Sequence, residues 1–236
     1  MATPYLLRDC KFYGEGYDLS GSLNRGKLSI DVNILDTTPF NVSSTTKIAG
    51  MLKASLDFDG YYEAGSGLID DILDSQIGAA EVPYSVYPND AIAGSIGFSF
   101  AMLAERLARS GKYGDLLILN LNGQSSGPVF RQTLMELGSK SAGGNGTARQ
   151  IGAVAAGQKA YGIVHVLSGS GTLGLKLQSS ATAGGTYVDR ATFTSLTGIG
   201  AQIAASAAGP ITDTYWRFQW TVSDGPFSVI MGAGII

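Results

Sequence analysis

Lys27 to Leu35 reads KLSIDVNIL, and Leu52 to Phe58 reads LKASLDF. In the first stretch Leu28, Ile30, Val32 and Ile34 alternate with Lys27, Ser29, Asp31 and Asn33. In the second, Leu52, Ala54, Leu56 and Phe58 alternate with Lys53, Ser55, Asp57 and Asp59. Successive side chains of a strand point to opposite faces, so a period of two predicts strands with one face in a core and one in water. Between them lies Asp36 to Lys47, DTTPFNVSSTTK, a polar stretch with one proline and an exposed-looking Phe40. Loops of about 12 residues without structure of their own are uncommon and often functional.

Outward from this pair, one short helix is expected. Ser66 is placed to cap it, Leu68, Ile69, Ile72 and Leu73 form an apolar stripe, Asp70 and Asp71 suit its first turns, and Gly78 ends it. Phe98 to Ser110, FSFAMLAERLARS, is rich in helix formers, yet Asp115 to Leu121 after it is strand-like, so a long hairpin competes with a helix. Beyond residue 145 the pattern is all β. Tyr161–Leu167, the alternating Leu173, Leu175 and Leu177, the alternating Trp216, Phe218, Trp220 and Val222, and Phe227–Met231 read as short strands with glycine turns, the signature of a sandwich.

The segment Gly138 to Arg149, GSKSAGGNGTAR, has no large apolar group and reads as a linker or long loop. Residues 1–145 carry 11 Lys/Arg and 16 Asp/Glu, a net of −5, whereas residues 146–236 carry 5 and 3, a net of +2. Two domains are expected, 1–145 and 146–236. The fold class is therefore mainly β: a first β domain with one short helix, followed by a second all-β sandwich.

Composition narrows the function. One histidine and one cysteine in 236 residues exclude a zinc site of several Cys and His ligands and an intrachain disulfide. The net charge of −3 gives no footprint for nucleic-acid binding, and no run approaches the roughly 18 apolar residues of a membrane helix. The N-terminal stretch lacks the apolar run of a signal peptide, so no export is expected and the sequons at Asn41 and Asn145 carry no meaning. Gly169 to Gly174 fits G-x-G-x-x-G, but the period-two LGLKLQ that follows makes it a hairpin turn. Gly123 to Gly127 fits G-x-S-x-G, which would enlist Ser125, His165 and Glu136; His165 lies mid-strand in YGIVHVL and reads as a packed residue. Asp70, Asp71 and Asp74 read as a solvated helix face, and Cys10 as an inert thiol. No catalytic, cofactor or metal residue is expected, and the chain is not read as an enzyme.

Several stretches resemble the tail tube, or major tail protein, family of tailed bacteriophages. They are YDLSGSLN at Tyr17–Asn24, the run Lys27–Thr38 with its DTT, TKIAGML at Thr46–Leu52, Asp57–Tyr61, GDLL from Gly114, and SGPVFRQTL at Ser126–Leu134. Further on, FTSLTG from Phe193 and GPITDTYWR at Gly209–Arg217 resemble a β-sandwich module joined to such proteins. The resemblance favours the hairpin reading of Phe98–Leu107. It implies a tube-type β-sandwich or barrel for the first domain, a virion protein assembled in the host cytoplasm, and self-association into hexameric or pseudo-hexameric trimeric rings. It also implies other virion partners such as tail completion and baseplate components, DNA only in passage, and no membrane. Asp36, Thr37, Thr38, Pro39, Phe40, Asn41, Val42, Ser43 and Ser44 are the expected ring-stacking loop, and Asp31, Asp57 and Asp59 the expected lumen-facing acids. A head decoration protein or another accessory virion protein is the alternative.

Overall fold

The structure, a computed structural model, describes residues 9–40 and 43–236. Its strands are β1 (Lys11–Gly14), β2 (Tyr17–Asp18), β3 (Leu23–Asp36), β4 (Lys47–Tyr61), β5 (Val82–Tyr87), β6 (Ile96–Ser110), β7 (Ile118–Ser125), β8 (Phe130–Lys140), β9 (Gly144–Asn145), β10 (Arg149–Gln150), β11 (Ala160–Gly169), β12 (Thr172–Ser180), β13 (Val188–Thr192), β14 (Gly200–Ala205), β15 (Tyr215–Ser223) and β16 (Phe227–Ile235). One α-helix, α1 (Ile69–Gln76), interrupts them among the described residues. The chain is thus mainly β, as expected. It forms two compact units, each discontinuous in sequence. Unit 2 takes Ser22–Glu81 and Phe100–Val129; unit 1 takes the chain through Gly21, Val82–Ser99 and Phe130–Ile236. The expected junction at residue 145 lies inside unit 1, between β9 and β10, and both of these short strands pair with β15.

Unit 2 is an antiparallel meander in the order β3-β4-β7-β6, the last strand contributing its residues from Phe100 onward. The period-two patterns fix its faces. Leu28 lies opposite Leu56 and Ile30 opposite Ala54, while Lys27 faces Asp57 and Asp31 faces Lys53. Leu56, Phe58, Leu119, Leu121 and Met102 are buried on the apolar side, and burial of each such side chain contributes roughly 1.5–3 kcal/mol. Ile69, Ile72 and Leu73 of α1 are also buried. Ser66 does not cap this helix: its N-cap is Leu68, and the Asp71 carboxylate instead accepts from the Gly67 N–H (2.9 Å) just ahead of the first turn. Asp70 and Asp74 are not a free acidic face either, because Arg109 donates to both, at 2.6 and 2.7 Å. The helix-forming composition of Phe98–Ser110 is overridden: pairing of Met102–Ser110 with β7 holds it as strand, with a bulge at Glu105 between Ala104 and Arg106.

Unit 1 holds two sheets. The larger runs β14-β11-β16-β8-β6-β5-β1-β2, with Ile96–Ser99 as the β6 portion. It curls until the β1–β2 turn meets β11 and β14, so the sheet is nearly a closed barrel. A Cβ at Gly16 would sit 2.5 Å from Gly200 N and from Val166 O, and Gly16 has φ +85°. Only glycine fits such a position. The smaller sheet runs β10-β15-β12-β13, with β9 alongside β10 on β15. Val164, Val166, Val229 and Met231 of the first sheet pack against Leu175, Leu177, Trp216 and Phe218 of the second, a face-to-face sandwich core. Gly169–Gly174 is not a hairpin turn, contrary to expectation. β11 pairs with β14 and β16 whereas β12 pairs with β13 and β15, so the turn hands the chain from one sheet to the other. Gly171 (φ +93°) crosses there so close to Ser223 O that a Cβ would lie 2.1 Å from it.

Candidate assembly surface

The β3–β4 hairpin carries the features that sequence reading singled out. Near its base the apolar face is covered, with Ala54, Leu56 and Phe58 buried. Toward its tip the same face is open: Ile30 is 40% exposed, Val32 43%, Ile34 63% and Leu52 45%. The register shifts by one residue between Val32–Leu52 and Ile34–Ala49, two residues of β3 against three of β4, which places a bulge around Gly50 and Met51. Beyond it Leu35 and Ile48 pair with each other and are exposed on the other face, so the end of the hairpin is apolar on both sides. Among the described residues β3 pairs only with β4 and is an outer strand. A long, exposed, apolar edge strand is a template for pairing with another chain unless something covers it.

The loop at the tip is braced. Asp36 accepts from Thr38 N–H (2.9 Å) and Thr38 Oγ1 (2.5 Å), and these bonds hold its carboxyl below the usual carboxylate range. Thr37 N–H donates to Thr46 O (2.9 Å), and Thr46 N–H to Thr38 Oγ1 (2.9 Å). These bonds fix the root of the loop, from which the fully exposed Phe40 projects. Pro39, Ser43 and Ser44 are exposed too. Asn41 and Val42 lie outside the described residues.

Asp31, Asp57 and Asp59 share the polar face of unit 2. Each is matched there rather than left as bare negative charge. Asp59 binds Arg25 (2.9 Å), and Asn120 Nδ2 donates to both Asp57 Oδ1 (2.8 Å) and Asp59 Oδ1 (2.7 Å). Asp31 lies opposite Lys53 and Asp57 opposite Lys27, while Gln124 donates to Glu105. Four acids (Asp31, Asp57, Asp59, Glu105) thus share one face with four bases (Arg25, Lys27, Lys53, Arg106). The bridging role of Asn120 escaped sequence reading; its signal is the alternation of Asn120, Asn122 and Gln124 along β7.

The serine elbow does not form. β8 follows Ser125 after four residues where a nucleophile elbow needs a helix, and Ser125 Oγ accepts from Ala54 N–H (2.7 Å). Glu136 of unit 1 is held by Lys140 (2.9 Å) and by Thr147 N–H (2.7 Å). His165, also of unit 1, is fully buried on the face of β11 turned away from the sandwich core. Its Nε2 is 2.9 Å from Ser85 Oγ, which in turn is 2.7 Å from Ser99 Oγ. Gln132 Nε2 donates to Tyr87 Oη (2.9 Å) and Ser99 Oγ (2.5 Å) in the same cluster. Burial pushes His165 down to about 3. Among the described residues, neither its Nδ1 nor Gln132 Oε1 has a hydrogen-bond partner. Among the described residues, no group of three or more His, Cys, Asp or Glu side chains is placed to hold a metal.

No protein-family profile matches the chain. No curated protein matches it either. Among solved structures it is similar to a chain of the virion of a native gene transfer agent particle, with 13% identity over 53% of this chain and 97% of that one, at a TM-score of 0.43. It is similar to the Dit hub protein of phage SPP1, with 11% identity over 97% of this chain and 100% of that one, at a TM-score of 0.36. A chain of the phage p2 baseplate in its activated conformation with Sr is 8% identical over 94% of this chain and 97% of that one, with a TM-score of 0.39.

Proposed function

We propose that this protein is a structural virion subunit that self-assembles through unit 2 into rings stacked as a phage tail tube. The observation that carries the reading is the meander β3-β4-β7-β6, whose outer strands run in opposite directions. Copies related by rotation about an axis along the strands bring β3 of one beside β6 of the next, antiparallel. Such heterologous pairing closes a ring and removes the edges. It also gives the apolar strip at Ile30, Val32, Ile34 and Leu52 a neighbour to cover it.

Strand geometry supports a ring of six such sheets. At about 4.8 Å between strands and a tilt of about 40°, six copies of four strands enclose a bore of about 40 Å, and three copies only about 15 Å. A DNA duplex about 20 Å wide passes a ring of six four-stranded sheets and not a ring of three. The polar face with Asp31, Asp57 and Asp59 lines the bore, because the opposite face carries the core. Its balanced charge offers passing phosphates neither a binding site nor strong repulsion. The loop from Asp36 to Ser44 stacks one ring on the next, and the remaining partners are other virion proteins at the ends of the tube. Electron microscopy and sedimentation of the purified chain test this. Rings or tubes at micromolar concentration are expected; a stable monomer overturns the reading, and discrete trimers point instead to head decoration.

A further inference from the structure

The two ends of the unit 2 sheet are unlike and complementary. At one end Phe40 projects from the braced loop, its ring wholly in solvent. At the other, the end of β4 and the β6–β7 connection frame a shallow, open cavity of about 630 Å³, whose lining includes Asn24, Tyr61, Lys112, Asp115, Leu116 and Ile118. Tyr61 is 43% and Leu116 70% exposed there, so the cavity has apolar walls with nothing against them. It is also built rather than loose: Asp115 N–H donates to Lys112 O (3.0 Å), and Tyr62 N–H to Leu117 O (3.0 Å).

We propose that Phe40 of one copy seats in this cavity on a second copy, forming the contact that joins successive rings. The proposal rests on the tube reading above and supplies the receiving site that reading lacks. Three observations favour a second copy as the occupant. First, loop and cavity lie at opposite ends of the same strands, so a shift along the strand direction brings one onto the other. A contact made this way is heterologous and repeats without closing, which yields a filament. Second, an aromatic side chain brings the largest apolar area to an interface, and the cavity is the apolar recess that would receive it. Third, each end carries one acid and one base, Asp36 and Lys47 at the hairpin, Lys112 and Asp115 at the cavity, so stacking brings no excess of like charge together. The geometry also sets the spacing. The 15 residues of β4 span about 50 Å, and a tilt near 40° shortens the axial repeat to about 35–40 Å.

The test uses the full chain with Cys10→Ser, Ser43→Cys and Lys112→Cys, leaving Phe40 in place, treated with a short bismaleimide after assembly. A ladder of covalent multimers is expected from assembled material, absent when either new cysteine is omitted. Phe40→Ala is expected to leave rings while abolishing filaments longer than a ring or two. Filaments that give no ladder, or Phe40→Ala chains that elongate like the parent, overturn the stacking contact and leave the ring reading intact. Failure of the parent chain to associate at all overturns both.

Discussion

His165 makes the stability of unit 1 depend on pH in a range where little else in that unit titrates. Its imidazole is fully buried, and burial holds it near 3 against about 6.5 in the unfolded chain. The folded state therefore favours the neutral ring. Stability is complete above pH 6.5, falls by about 1.4 kcal/mol per pH unit below it, and levels off near pH 3. Between pH 7.5 and 5 the loss from this one group is about 2 kcal/mol. Asp189, held down by Lys176 and Gln178, and Asp213, held down by Ser179 and Arg190, lose stability only at lower pH. Both tryptophans of the chain, Trp216 and Trp220, lie on β15, so their fluorescence reports unit 1. Denaturant titrations at pH 7.5 and pH 5 are compared for the parent and His165→Leu. Ser85 tolerates the change, because its hydroxyl keeps Ser99 at 2.7 Å. The parent is expected to lose about 2 kcal/mol more than the variant across that interval. Parallel losses would refute the buried, neutral histidine.

Replacing Val32 and Ile34 together by serine should change unfolding free energy by no more than about 1 kcal/mol, since both are exposed, yet prevent assembly in sedimentation. Gly16→Val should destabilise unit 1 by at least about 2 kcal/mol in the same fluorescence assay, since its Cβ collides with backbone on two strands and its φ is left-handed. Asp57→Lys with Asp59→Lys shifts the polar face of unit 2 from balance to an excess of four positive charges. The double variant should bind duplex DNA at low salt in an anisotropy assay and release it as salt rises, where the parent does not bind. Equal affinities would remove the bore assignment of that face.

Local alternation was legible wherever two faces differ. Lys27–Leu35 and Leu52–Phe58 are strands with the expected sides, and the tryptophan strand near the end of the chain lies as read. Three features were not legible, each for a physical reason. Ala, Leu, Glu and Arg around Glu105 favour a helix locally, and only pairing with a strand 15 residues away decides otherwise. Gly169–Gly174 has turn chemistry, which says where a chain bends but not which sheet it enters next. The shift in charge near residue 145 does not mark the compact units, because these are knit by pairings such as Gly232 with Leu134, about 100 residues apart. For the assembly surface, periodicity identified the apolar residues of the hairpin. It carried no information on how far the protein's own core reaches along them, and that reach separates buried Leu56 from exposed Ile34.

The position of β16 has a consequence in time. It sits between β8 and β11, yet it is the last of these strands to be synthesised. At roughly 5–20 residues per second, β8 waits about 5–20 s on the ribosome before its partner emerges. The four strands of unit 2 are all made by Ser125, well before that. The outer strand β3 is thus translated while the rest of its own chain is still being made. Under the proposed ring reading, neighbouring nascent chains on one messenger RNA carry the pairing edge before either has completed unit 1.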